Sequence, residues 1–407
     1  MNVTTYAPIT LDSTGHRIHT QAAELRAAAP AVPVGVPDGL TVWSVTRGDV
    51  IKKLLTHPDV AKDARTAWPG YEPGYYPWLT SWVDVRSMLT ADGGDHARLK
   101  KLIGRAFSPR RIEAMRPAIE QIVADLLTAI GRYEPGEIFD LRNAYAYPVP
   151  TQLIAGLFGV PDEQRPAMLS VIDAVLDTTA DREQAADTRD RLYAAMGKLI
   201  ATKRWHPGED MTSLLLAAQE EDGDRLSEEE LVSTLILMIG AGSETAVSLI
   251  GHATYELLSN EGQLRRVLAH PERWDDVIEE TLRLHPPIMH IPMRFTTADI
   301  DLGEGVTIPG GSPLLMGFGA HGRDPAVHER PETFDLDRAD KSHLAFGYGM
   351  HYCLGAALAK LEARIALPAL FETFPDIHLA GQHQPQPSFI AHGYETLPVR
   401  VTAPADR

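Results

Sequence analysis

The stretch Phe346-Gly347-Tyr348-Gly349-Met350-His351-Tyr352-Cys353-Leu354-Gly355 holds the only cysteine among 407 residues. One thiol cannot form an internal disulfide or build a four-thiolate metal centre. It can serve as a nucleophile, sit inert in a core, or ligate a metal that something else holds. The neighbours favour the last use. Three glycines within nine residues let backbone approach a flat object closely. A helical pattern, Leu354–Leu370, follows at once, with Leu354, Ala357, Leu358, Leu361 and Ile365 on one face. That puts Cys353 at a helix start, where unpaired N–H groups favour a thiolate.

Working outward, Ser227-Glu228-Glu229-Glu230 reads as a capping box. The helix it opens should run to about Leu258, roughly 45 Å at 1.5 Å per residue. Leu231–Gly242 is apolar nearly all round and should be buried. Within that buried run come Ala241-Gly242-Ser243-Glu244-Thr245. A carboxylate and a hydroxyl there need partners or water. Gly240 and Gly242 are expected to leave room beside the helix for a small ligand. Glu279-Glu280-Thr281-Leu282-Arg283 sits on another helix, stopped by Pro286-Pro287. Glu280 and Arg283 can pair on one face, which by itself describes many surface ion pairs.

Further helices are expected at Asp95–Ala106, Pro109–Ile130, Tyr147–Phe158, Asp162–Ala180, Ala185–Lys203 and Asp210–Glu220. Short strands are expected at Val42–Val45, Ile291–Phe295, Val306–Ile308, Pro313–Gly317 and Leu397–Thr402. Ala320–His343 reads as an ordered irregular meander. The fold class is mainly α with a minor β part, residues 1–407 forming one domain. Hydrophobic content of 44% and charged content of 23% suit a folded water-exposed chain. A net charge of −17 argues against nucleic acid or an anionic membrane as partner. No signal peptide is read in Met1–Gln21, and the most apolar run, Leu235–Gly242, is far short of the ~20 residues that span a bilayer. The expectation is a cytoplasmic monomer.

The cysteine loop, Glu280-x-x-Arg283 and Ala241-Gly242-x-Glu244-Thr245, in this order, resemble a bacterial cytochrome P-450 over nearly the whole chain. Arg338 resembles the meander arginine that joins the Glu280–Arg283 pair. The resemblance implies heme b between the long central helix and the cysteine-loop helix. Cys353 would be the axial iron ligand, with Phe346, Gly347 and Gly355 beside it. His96, Lys100, Arg294 and His351 would hold the heme propionates, with Arg98 as a substitute for Lys100. Glu244 and Thr245 would be the acid–alcohol pair that passes solvent protons to dioxygen. Trp82, Ala241, Ile288, Ile291, Phe389 and Ile390 would line the substrate pocket.

Residues Trp68–Trp82 carry six aromatics in fifteen positions. They suit either a pocket lining or the packing of a proline-rich loop. From His96 to Arg111 there are six basic residues and no acidic one, a patch suited to steering an acidic ferredoxin or, more simply, a solvated helix face. The resemblance further implies a monooxygenase that inserts one atom of O2 into a lipophilic or natural-product substrate. Electrons would come from NAD(P)H through ferredoxin reductase and ferredoxin, since no reductase domain is read. Oxidative aromatic coupling, or a non-catalytic heme or ligand-binding role, are the rival functions.

Overall fold

The computed structural model describes residues 9–220 and 226–401. Its longest element is the central helix Glu228–Ser259, 32 residues, opened by Ser227. Ser227 Oγ accepts from Glu230 N–H at 3.1 Å and Glu230 Oε2 accepts from Ser227 N–H at 2.8 Å. Such reciprocal capping is worth about 1 kcal/mol. This helix is long and apolar enough to cross a membrane, yet 72% of its most apolar window is buried inside the protein. It is a core helix. Residues Leu231, Leu235, Ile239, Ala246, Ile250, Ala253 and Leu257 are all buried along it.

Helices Pro148–Leu157, Trp274–Leu284 and Ala356–Thr373 pack on that axis, and together they hold the largest apolar cluster. Two expected helices are broken in ways proline explains. Pro109–Ile130 divides into Pro109–Glu113 and Arg116–Ile130, with Pro117 in the first turn of the second piece. Asp162–Ala180 ends at Leu176, after a 3-10 turn and a start with Pro166. Helices Ile18–Ala28, Gly48–Leu55 and Glu261–Ala269 were not anticipated.

The β part is small. A six-stranded sheet runs in the order Ile9–Thr10, Val32–Gly35, Thr41–Val45, Pro313–Met316, Ile291–Thr296, Val60–Ala61. Its inner pairing is parallel, Trp43 opposite Leu314, and then antiparallel, Phe295 opposite Pro313. The last pairing shifts register between Ile291 and Arg294. Residues three apart on a regular strand point to opposite faces, and the shift lets both line the same cavity. The final strand is Pro398–Val401, paired to Ile377–Leu379 and Ile138–Asp140; Thr402, expected in it, lies outside the described residues.

Candidate functional site

A cavity lies between the central helix and the cysteine loop, with about 290 Å³ open to the centres of water molecules. Cys353, Phe346, Gly347, His351 and Gly355 line one side, and Ala241, Glu244 and Thr245 the other. The cysteine loop is closed by Cys353 N–H donating to Phe346 O at 2.9 Å and Gly347 N–H to Leu344 O at 2.8 Å. Gly347 and Gly349 adopt φ of 73° and 77°, a conformation that strains any residue with a Cβ.

The helix after the loop starts at Ala356, so Cys353 precedes it by three residues rather than opening it. Burial pushes the Cys353 thiol up from its usual range. The N–H groups of Gly355 and Ala356 and the charge of Lys100 oppose that rise. The N–H groups near the helix start favour the thiolate, as expected, against the effect of burial. A metal cation bound at the sulfur would complete the shift, because coordination deprotonates a thiol outright.

At the rim, five donors face the cavity: Lys62, His96, Lys100, Arg294 and His351. The His96 and His351 rings lie 4.4 Å apart. Lys100 Nζ donates to Met350 O at 2.6 Å, and Lys62 Nζ to Pro292 O at 2.9 Å and Met293 O at 2.7 Å. His351 Nε2 is buried without a partner. Among the described residues none of the five forms an ion pair with a carboxylate.

The crowding of cations has measurable effects. His351 is held down to about 2 by burial and by Arg294, Lys62, His96 and Lys100. Arg294 is lowered to about 10, chiefly by burial. Lys62 is fully enclosed and well below the usual lysine range for the same reason, with Arg294 adding to it. Asp92 offsets part of this charge at Lys62, His96 and Arg294, and the two propionates of a heme would supply further anions. Lys62 escaped the sequence reading because it stands far from every motif. Arg98 is not a substitute for Lys100, since it pairs with Glu230 on the central helix.

Glu280 and Arg283 are both fully buried. Arg283 Nε donates to Glu280 Oε2, and Nη2 to Oε1, each at 2.8 Å. Arg338 Nε adds a third bond to Oε1 at 3.0 Å, and Asp335 N–H a fourth at 2.9 Å. Arg283 also donates to Pro331 O and Thr333 O at 2.8 and 3.0 Å. These bonds fix the meander that leads into the cysteine loop.

Glu244 departs from expectation. It is 3% exposed, and Arg142 Nη2 donates to its Oε1 at 2.7 Å. Burial raises it to about 7, Arg142 opposes the rise, and the nearby Asp173 adds to it. Tyr147 Oη donates to Asp173 Oδ2 at 2.8 Å, and Arg142 lies over the Tyr147 ring. The carboxylate thus reaches outward through a polar cluster rather than directly to water. Thr245 Oγ1 donates to Ala241 O at 2.7 Å on the cavity side.

The two glycines of the central helix do different things. A Cβ on Gly240 would meet nothing within 4 Å, whereas one on Gly242 would come within 2.6 Å of Ile154 Cδ1. Both glycines line the cavity as expected; Gly240 faces open space, and Gly242 also admits the helix Pro148–Leu157. Trp82, Ala241, Ile288 and Ile291 line the cavity. Phe389 and Ile390 do not: both are buried in a separate core cluster, with Phe389 edge-on to Trp78 at 5.8 Å. The other aromatics of the Trp68–Trp82 loop are mainly packing. Trp68 stacks on Phe295 at 5.3 Å and on Tyr76 at 5.9 Å.

Comparison with known proteins agrees with this geometry. The family model for Cytochrome P450 matches residues 272–400. The chain is 42% identical to the 2-hydroxy-5-methyl-1-naphthoate 7-hydroxylase of Streptomyces carzinostaticus, with 97% of each covered. It is 36% identical to the 6-deoxyerythronolide B hydroxylase of Saccharopolyspora erythraea, over 93% of this chain and 95% of that one. Among solved structures, CYP154A1 from Streptomyces coelicolor A3(2) superposes with a TM-score of 0.92 at 45% identity, covering 97% of this chain and 100% of that one. A cavity rimmed by basic side chains and floored by one cysteine, on this fold and with these relatives, shows that the chain belongs to the cytochrome P450 family of monooxygenases, whose cofactor is heme b.

Proposed function

We propose that this enzyme hydroxylates a lipophilic natural product, with electrons delivered by a ferredoxin and its reductase in the cytoplasm. Cys353 would hold heme through its thiolate, and the bound heme would supply dioxygen activation. The remaining roles belong to side chains. Lys62, His96, Lys100, Arg294 and His351 would take the propionates. Phe346 lines the cavity beside Cys353, and Lys360 Nζ lies 5.4 Å from the centre of its ring.

Thr245 Oγ1 lines the cavity, where a turn away from Ala241 O would let it hold a water. Glu244, poised at about 7 beside Arg142, is suited to accept and release a proton near neutral pH. The observation that carries the reading is this buried carboxylate next to a cavity-lining hydroxyl, opposite the cysteine, which a passive heme binder does not need.

The substrate class rests on the cavity wall. Ile154, Ile172, Leu176, Ile236 and Ile288 make it largely apolar. Two relatives are named as hydroxylases of a naphthoate and of 6-deoxyerythronolide B. Aromatic coupling loses its main support, because most rings of the Trp68–Trp82 loop are engaged in packing. Ferredoxin docking rests on Lys100, Arg110 and Arg111; the latter two are exposed. The side chain of Arg105 lies outside the described residues.

Candidate substrates are screened by the spin-state shift they cause, and hits are turned over with a ferredoxin system. The expected product gains one oxygen mass from labelled O2. Loss of two hydrogens without added oxygen would replace this reading by coupling. Electron-transfer rates should fall as salt rises from 50 to 500 mM (about a threefold fall in Debye length); a salt-independent rate would remove the docking patch.

A further inference from the structure

Four histidines converge outside the heme cavity. His19 lies on the helix Ile18–Ala28, His252 on the central helix, His285 just after Leu284, and His392 in the carboxy-terminal loop. The His252 and His285 rings stack at 4.6 Å, and His252 and His392 lie 4.4 Å apart. His19 Nε2 and His392 Nε2 are 3.1 Å apart. One ring nitrogen from each of His19, His285 and His392 lies within 4.8 Å of the others.

A neutral His–His hydrogen bond explains the 3.1 Å contact but not the rest. His19 Nδ1 and His252 Nδ1 are buried without a hydrogen-bond partner among the described residues.

We propose that His19, His285 and His392 bind a divalent transition cation of the zinc class. Two imidazoles on a tetrahedral zinc, with Zn–N of about 2.0–2.1 Å, stand roughly 3.3 Å apart. The His19–His392 pair is already near that separation, and a ring nitrogen of His285 lies within 4.8 Å of both. Imidazole nitrogen is a preferred donor for this class of ion.

The charges around the cluster are mixed. Glu256 Oε1 lies 2.7 Å from His285 Nε2 and supplies an adjacent carboxylate, a common companion of a metal-binding histidine. Arg323 Nη2 lies 3.3 Å from His285 Nδ1 and opposes a cation. Arg323 is itself held by Leu284 O and paired with Glu332.

The ion would join the amino-terminal helix, the end of the Glu280 helix and the carboxy-terminal loop. His252 stands seven residues beyond Thr245, about 10 Å along the same helix. The role is therefore structural, at a distance from the oxygen site.

The test uses the heme-loaded protein after chelator treatment, titrated with ZnCl2 and followed by calorimetry and elemental analysis. One zinc per chain is expected, with a rise in melting temperature. His19→Gln and His392→Gln should each weaken uptake by about 100-fold and leave the thiolate–CO band unchanged. X-ray absorption at the zinc edge of the wild type should report imidazole ligands at about 2.0–2.1 Å, independently of how the variants fold. No zinc uptake by the chelated wild type would overturn the site and leave a hydrogen-bonded cluster. Uptake undiminished in both variants, or a shell without imidazole, would overturn it equally.

Discussion

Arg142 Nη2 donates to Glu244 Oε1 at 2.7 Å, and this bond partly offsets the burial that raises the carboxyl beside Thr245. Glu244 is buried against a guanidinium on one side and Asp173 on the other, which leaves it near 7 rather than near 4.5. A carboxylate so placed changes charge within the working pH range of a bacterial enzyme.

The pH dependence of stability follows from that shift. A carboxyl whose folded pKa is raised contributes stability that is present below its unfolded value and lost as pH rises through the folded one. For Glu244 the window runs from about 4.5 to about 7. Glu244→Gln stays neutral throughout. Thermal melts should show the wild type losing ground to the variant across that window; a gap independent of pH would contradict the assignment. Glu256, also raised to about 7, is common to both proteins and cancels in the difference. Turnover of the variant should fall by about 100-fold, as for loss of a positioned proton donor.

Thr245→Ala should separate electron use from product. NAD(P)H consumption continues, hydrogen peroxide accumulates, and product per electron pair falls about tenfold or more, a loss in the lower range for proton-transfer groups. Unchanged coupling would remove Thr245 from oxygen handling.

The two helix glycines should respond oppositely to alanine. Gly242→Ala forces a Cβ against Ile154 Cδ1 and should cost about 1–3 kcal/mol, the usual range for overpacking. Adding Ile154→Val should recover part of that loss. Gly240→Ala meets open space and should stabilise the helix by up to about 1 kcal/mol while narrowing the cavity. Urea unfolding of the three variants and the wild type measures these differences; equal losses at both positions would sink the packing argument.

These outcomes mark what the residues alone could tell. The central helix was legible to within a residue or two because Ser227 and Glu230 cap it and its apolar run is long. Cys353, the Glu280–Arg283 pair and the Glu244–Thr245 step were legible as spaced motifs. Lys62 and Arg142 were not, since each reaches its place through tertiary contact across 230 and 102 residues, and no local pattern records that. Phe389 and Ile390 were apolar and suitably placed in sequence, yet apolar residues suit a core as well as a pocket wall. The histidine cluster was invisible for the same reason as Lys62: its members come from four separate elements.

Glu280→Gln should disable folding more than chemistry. It leaves Arg283 and Arg338 facing a neutral amide in a fully buried site, a change that commonly costs about 3–5 kcal/mol. Heme content after purification should fall with stability. A variant as stable and as heme-rich as the wild type would mean that the meander is held by something else.

The central claim is that Cys353 binds heme iron as a thiolate opposite the Glu244–Thr245 step. The carbon monoxide difference spectrum of the dithionite-reduced protein tests it most directly. The account predicts the red-shifted band of thiolate-ligated heme in the wild type and its loss in Cys353→Ala. A wild-type spectrum without that band, or a variant that retains it, would contradict the account.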